Sequence, residues 1–177
     1  MENPNSIKQI ILTGPESTGK TLLSREIAAQ FKVPCFPEYA REYIAALNRP
    51  YTYQDLCTIA SEQRRQMLST KESGTALAVF DTYLIITKIW FQVVYKKVPD
   101  WIESEIDNTR SNALYLLCQP DIPWQPDKLR ENGGEMRDVL YQKYKKELES
   151  HKLNYCYIHG SGKERLMNAM RCVEQFI

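Results

Sequence analysis

Gly14-Pro15-Glu16-Ser17-Thr18-Gly19-Lys20-Thr21 follows the apolar run Ile7-Lys8-Gln9-Ile10-Ile11-Leu12 and leads into a segment of helical period. The octet fits G-x-x-x-x-G-K-[ST], and a strand before it with a helix after it is the context that motif requires. A polyphosphate needs several backbone N–H groups turned inward, which a glycine-containing loop presents without Cβ clashes at the positive end of the following helix. The octet predicts a phosphate-binding loop: Gly14, Glu16, Ser17, Thr18 and Gly19 cradle the phosphates, Lys20 reaches the β/γ-phosphates and the Thr21 hydroxyl ligates Mg²⁺. ATP or GTP is the expected ligand.

Outward from this loop, short apolar runs alternate with longer segments of helical period, the pattern of a parallel sheet wrapped by helices. The strands read as Lys8–Thr13, Val33–Phe36, Thr75–Phe80, Ala113–Cys118 and Asn154–Ile158. The first helix starts at Lys20 with Leu23, Ile27 and Phe31 on one face, a second runs from Tyr39 to Leu47, and a third begins at Thr52, where Thr52-x-x-Asp55 resembles a capping box. A fourth follows Asp81 with the wide stripe Ile85, Ile86, Ile89, Trp90, Val93 and Val94, which reads as a core face or, alternatively, as a homodimer interface. The last two are Glu135–Ser150 and Glu164–Phe176. The expected fold is a three-layer α/β domain of the P-loop NTPase or kinase type over residues 1–177, with a five-stranded parallel sheet, helices on both faces and a lid at about 121–138.

The 177 residues are 43% hydrophobic and 25% charged, enough for one full core. A net charge of +1 provides no basic field for nucleic acid and no polybasic segment for a membrane, so neither is an expected partner. The start carries no signal-peptide pattern, and a cytoplasmic protein is expected. Five scattered cysteines without a C-x-x-C pair read as reduced thiols, and the histidines, His151 and His159, form no metal-ligand spacing. A general base is therefore expected among the carboxylates.

In an open parallel sheet, ligands bind beyond the carboxyl ends of the strands. Asp81, ending Ala76-Leu77-Ala78-Val79-Phe80, fits an acid that holds Mg²⁺ or an acceptor hydroxyl; a helix cap is the plainer reading. Glu38 opens Glu38-Tyr39-Ala40-Arg41-Glu42-Tyr43, where one helical turn joins Glu38 to Arg41 and Glu42, so these charges can face one cleft or form a surface ion pair. Glu38, Tyr39, Glu42, Tyr43 and Tyr83 together would suit a cationic ring. The segment Trp124–Arg137 offers Arg130 and Arg137 flanking Gly133-Gly134, as in a lid whose arginines meet the transferring phosphoryl group; a solvated loop is the alternative.

Gly-Pro-Glu-Ser-Thr-Gly-Lys-Thr, Phe-Pro-Glu-Tyr-Ala-Arg-Glu-Tyr, Phe-Asp-Thr, Trp90 with Tyr95, and Asp127-Lys-Leu-Arg130 jointly resemble the kinase domain of NadR-type ribosylnicotinamide kinases over nearly the whole chain. That resemblance implies ATP- and Mg²⁺-dependent phosphorylation of the small-molecule nucleoside nicotinamide riboside to the mononucleotide. It implies Lys20 and Thr21 at the phosphates and metal, Glu38, Arg41 and Asp81 at the nucleoside, and Arg130 and Arg137 in the lid. Pro37 stands where that family often carries tryptophan. No H-x-G-H motif of a nucleotidyltransferase is present, so synthesis of NAD from the mononucleotide is not expected. A kinase for another nucleoside or nucleotide, or an NTP-dependent switch, is the alternative; an Asn-Lys-x-Asp guanine-recognition segment is absent.

Overall fold

The computed structural model describes residues 7–72, 74–126 and 132–177, with Lys71 and Glu72 described by backbone only. Five strands, β1 (Lys8–Thr13), β2 (Cys35–Phe36), β3 (Leu77–Asp81), β4 (Ala113–Cys118) and β5 (Asn154–Ile158), form one parallel sheet in the order β2-β3-β1-β4-β5. From the central β1 the chain crosses first to the β2/β3 side and later to the β4/β5 side. This reversal opens a crevice at the carboxyl end of β1, where the phosphate-binding octet begins.

Alternation along the strands builds two cores. Ile10, Leu12, Val79, Leu114 and Leu116 pack with Leu23 and Ile27 of α1 (Lys20–Phe31) and Ala169 and Val173 of α7 (Gly162–Phe176). Ile11, Phe80, Tyr115 and Leu117 face the other way, against α3 (Tyr53–Glu72), α4 (Leu84–Trp90), α5 (Trp101–Asp107) and α6 (Glu135–Ser150). The result is the expected α/β three-layer arrangement. Asp55 accepts hydrogen bonds from the Thr52 N–H and hydroxyl, both at 2.7 Å, which anchors the start of α3 as the Thr52-x-x-Asp55 pattern implies.

The elements depart from the sequence reading in three places. β2 is shorter than Val33–Phe36 because Pro34 has no N–H to give a ladder, although its carbonyl still accepts from Val79 at 3.0 Å. β3 begins later than Thr75 and runs through Asp81, which pairs with Leu12. The short α5 was not anticipated.

The stripe after Asp81 divides. Leu84, Ile85 and Ile89 are buried, and Ile86, Trp90 and Val93 pack partly against the same core. α4 passes into a π-helical segment, Phe91–Tyr95, a widened turn of the kind that often marks functional helices. Its back is pinned by Lys88, only 4% exposed, whose ammonium meets Glu103 of α5 at 2.8 Å, the Glu147 carboxylate of α6, and His151 Nε2 at 3.1 Å. With its proton on Nδ1 the imidazole donates to Asp107 at 3.0 Å and accepts from Lys88. Among the described residues no helix is long and apolar enough to cross a membrane.

Candidate active site

The octet has the backbone its residue types require. Gly14 lies at φ 135°, and a Cβ there would stand 2.5 Å from the Cys118 carbonyl oxygen at the end of β4. Gly19 lies at φ 78° and is the N-cap of α1. Ser17 also occupies the left-handed region, at φ 57°, a strained choice for a residue with a side chain. The Thr18 hydroxyl closes the loop on the Pro15 carbonyl at 2.9 Å. Lys20 Nζ folds back to the carbonyls of Gly14 at 3.0 Å and Pro15 at 2.7 Å, over the concavity that the loop forms.

Asp81 is 1% exposed, and among the described residues neither carboxylate oxygen has a hydrogen bond of good geometry. Burial pushes its carboxyl above the ordinary range, against the Thr21 hydroxyl and the cations Lys20, Arg25 and Arg41, which pull it down. A buried, underpartnered carboxylate beside the motif threonine fits the needs of Mg²⁺. That ion keeps waters and substrate phosphates in its shell and takes few protein ligands. No group of three or more His, Cys, Asp or Glu residues assembles among the described residues. Thr82, the next residue, is 6% exposed at φ 77°, so the chain is strained as it leaves the strand. Glu38, at the end of the loop after β2, is raised by burial and by Asp81 and Glu16, and lowered by Lys20 and Arg41. The two acids predicted from sequence thus meet the loop lysine in one electrostatic neighbourhood.

A cleft of about 450 Å³ joins this neighbourhood to an aromatic and apolar end. Gly14, Glu16 to Leu22, Glu38, Ala40 and Arg41 line the first part; Ile44, Tyr51, Gln63, Thr87, Ile89, Trp90, Val93, Val94 and Tyr144 line the rest. Trp90 and Tyr51 pack edge to face at 4.9 Å, with the indole N–H donating to the Tyr51 hydroxyl at 3.2 Å. The aromatic set differs from the one expected. Tyr83 is core, Tyr43 donates to Asp55 at 3.0 Å, and Tyr39 leans on Tyr43; none of the three, nor the exposed Glu42, is among the lining residues. Trp90, Tyr51 and Gln63 were missed as site residues. The signal for Trp90 was present in the width of the α4 stripe, too broad for one core face.

Arg130 lies outside the described residues. Arg137 occupies the first turn of α6 and is 7% exposed, its guanidinium donating to the carbonyls of Ile122 at 3.0 Å and Ser17 at 3.1 Å. The guanidinium expected beside a hinge thus braces two main-chain carbonyls in this structure. Gly134, at φ 57°, is the N-cap of α6, and a Cβ on Gly133 would meet the Trp124 indole at 3.2 Å. The Gln125 N–H donates to Ser17 Oγ at 2.9 Å, and Asn132 donates through N and Nδ2 to the Glu16 carboxylate, both at 3.1 Å. Both flanks of residues 127–131 are therefore tied to the phosphate-binding loop.

A family model described as AAA domain matches residues 9–165. The trifunctional NAD biosynthesis/regulator protein NadR of Salmonella typhimurium strain LT2 is 23% identical over 175 residues, covering 97% of this chain and 42% of that protein. A crystal structure of NadR protein in complex with NR superposes with TM-score 0.80 at 20% identity, covering 96% of this chain and 50% of that one. Deoxyadenosine kinase from M. mycoides, with products bound, superposes with TM-score 0.63 at 15% identity over 94% of this chain and 99% of its own. The chain spans half or less of the NadR proteins it matches. The sheet order, the octet and these likenesses agree on a P-loop kinase fold, and the chain belongs to the AAA domain family whose model it matches.

Proposed function

We propose that the protein is an ATP- and Mg²⁺-dependent kinase whose acceptor is a nucleoside, nicotinamide riboside in the first place. One observation carries the reading: a single cleft runs from the phosphate-binding loop, past Glu38 and Thr82, the residue after Asp81, to the Trp90–Tyr51 wall. A switch that only holds a nucleotide has no need of that second compartment. The similarity to NadR over nearly this whole chain supports the choice of acceptor, as does the chemistry of the wall. A pyridinium ring is cationic, and an indole face with a nearby carboxylate attracts it.

In this reading Lys20 exchanges the Gly14 and Pro15 carbonyls for phosphate oxygens, and Thr21 with Asp81 holds the metal, Asp81 directly or through water. Bound Mg²⁺ would neutralise charge on the β- and γ-phosphates. Glu38 accepts the proton of the attacking hydroxyl, for which a raised carboxyl is apt, and Arg41 orients the acceptor. Arg130, with the segment 121–138 as a lid, shields the reacting group from water. The deciding experiment is a coupled assay with Mg·ATP across a nucleoside panel. Nicotinamide riboside should give the highest kcat/KM, and Lys20→Ala should retain the fold by circular dichroism while losing turnover by about two orders of magnitude or more. A tenfold advantage for another nucleoside would overturn the acceptor assignment, and an active Lys20→Ala the kinase itself.

A further inference from the structure

Gln63 sits on α3 inside the aromatic end of the cleft and is 3% exposed. Its Oε1 accepts the hydroxyl of Thr87, a residue of α4 that is 1% exposed, at 2.7 Å. The amide nitrogen has no partner among the described residues. Other buried polar atoms in that position, such as the Tyr141 hydroxyl and Gln9 Oε1, belong to residues that do not line the cleft. The neighbouring indole cannot substitute for it, because the Trp90 N–H is already given to Tyr51 and Trp90 offers only ring surface. A buried donor left unpaired is costly, and native proteins leave few such groups. The amide is also held: the Thr87 contact fixes its orientation and ties α3 to α4.

We infer that Gln63 is the specificity-determining donor of the acceptor pocket, and that it takes a carbonyl oxygen carried on the ring of the substrate. The inference rests on the kinase reading above and adds to it the polar group by which the acceptor is told from its analogues. A ring lacking the carbonyl would leave the buried Gln63 nitrogen with nothing to bond and seal it from water that could enter the empty cleft. A site built around a hydrogen bond rejects such an analogue more strongly than an apolar pocket rejects a missing methylene. In nicotinamide riboside the 3-carboxamide supplies the oxygen.

The test compares three acceptors with Mg·ATP: nicotinamide riboside, 3-acetylpyridine riboside, which keeps the carbonyl but has no amide N–H, and unsubstituted pyridinium riboside. The wild-type protein should favour the first two over the third by about 10- to 100-fold in kcat/KM, with the same order in calorimetric affinities. Gln63→Leu should reduce that preference to about threefold or less, and so should Gln63→Glu, which keeps an acceptor for Thr87 and so preserves the packing. All three ribosides are cationic, so the charge introduced by Gln63→Glu cancels in the ratio. A preference that survives in either folded variant overturns the inference. So does a wild-type protein that rejects 3-acetylpyridine riboside as strongly as the unsubstituted ring, since the group being read would then be the N–H. If another nucleoside outperforms all pyridinium ribosides, the nicotinamide assignment fails separately. Gln63 is then judged by the same ratio between that nucleoside and its counterpart with hydrogen in place of the ring carbonyl, and a ratio unchanged by both variants overturns it.

Discussion

Arg137→Ala should destabilise the protein in the absence of any nucleotide. The guanidinium is 7% exposed and gives two hydrogen bonds to main-chain carbonyls, Ile122 at 3.0 Å and Ser17 at 3.1 Å. A hydrogen bond from a charged donor contributes about 1.5–3 kcal/mol net, and a buried carbonyl deprived of its donor costs about 1–3 kcal/mol. Ser17 is only partly buried, so water can replace part of what is lost there, and a total of about 2–4 kcal/mol is expected. In a chain of 177 residues that corresponds to a fall in Tm of roughly 5–12 °C. The assay is thermal unfolding by circular dichroism at pH 7.5 without ligand, followed by ATP affinity of the folded variant. Arg137→Lys, which keeps the charge but not the two-pronged reach, should fall between. An arginine that acted only on the transferring phosphoryl group would behave oppositely: unchanged Tm and a lowered kcat. A ligand-free Tm within about 2 °C of wild type, below the shift expected from even 1 kcal/mol, would refute the structural role.

Gly14→Ala should cost about 2–4 kcal/mol or prevent folding, because its Cβ would lie 2.5 Å from the Cys118 carbonyl oxygen and its φ of 135° is strained for alanine; urea denaturation with a loss under about 1 kcal/mol would contradict this. Asp81→Asn should raise Tm at pH 8 while weakening Mg²⁺ dependence. The folded-state carboxyl is raised, so its ionised form opposes folding fully at high pH, and that penalty fades as pH falls toward the ordinary carboxylate range; melts of both proteins from pH 8 to pH 5 should converge, and parallel curves would be inconsistent with a raised Asp81. Lys88→Met should destabilise by about 2–4 kcal/mol in urea, since it leaves Glu147 and His151 facing each other without their cation; a change under about 0.5 kcal/mol would show that the half-exposed Glu103 lets water screen the whole cluster.

What was legible in the sequence was local or periodic. The octet carries its geometry in eight consecutive residues, and the acid ending β3 needs only a strand pointing at the loop. The second half of the site is assembled across elements. On α2 (Tyr39–Ala46) a rotation of about 100° per residue turns Arg41 and Ile44 toward the cleft and leaves Tyr39 and Glu42 on the far side, which spacing from Glu38 alone does not reveal. Gln63 and Trp90 sit on helices that serve core and cleft at once, and a hydrophobic stripe does not say where one surface ends and the other begins. The bracing contact of Arg137 was not legible because its partner, Ser17, is 120 residues away. A basic residue beside Gly-Gly looks the same in sequence whether it swings over a substrate or braces a loop.

The unspecified positions of G-x-x-x-x-G-K-T are where this chain gives the loop its individual support. Phosphate recognition at those positions falls to backbone N–H groups, which leaves the side chains free for other work. Glu16 takes both donors of Asn132, Ser17 takes the Gln125 N–H on its hydroxyl and Arg137 on its carbonyl, and Thr18 closes on Pro15. None of these contacts needs a phosphate, yet together they hold Ser17 at the positive φ that the loop requires. The strain is thus balanced by contacts from the two flanks of residues 127–131, and a change in either flank is felt first as loop geometry. Loss of Glu16 or Asn132 side-chain contacts would therefore act on ground-state and transition-state phosphates alike. That is uniform binding, which raises the KM for ATP and leaves kcat nearly unchanged, in contrast to loss of Lys20.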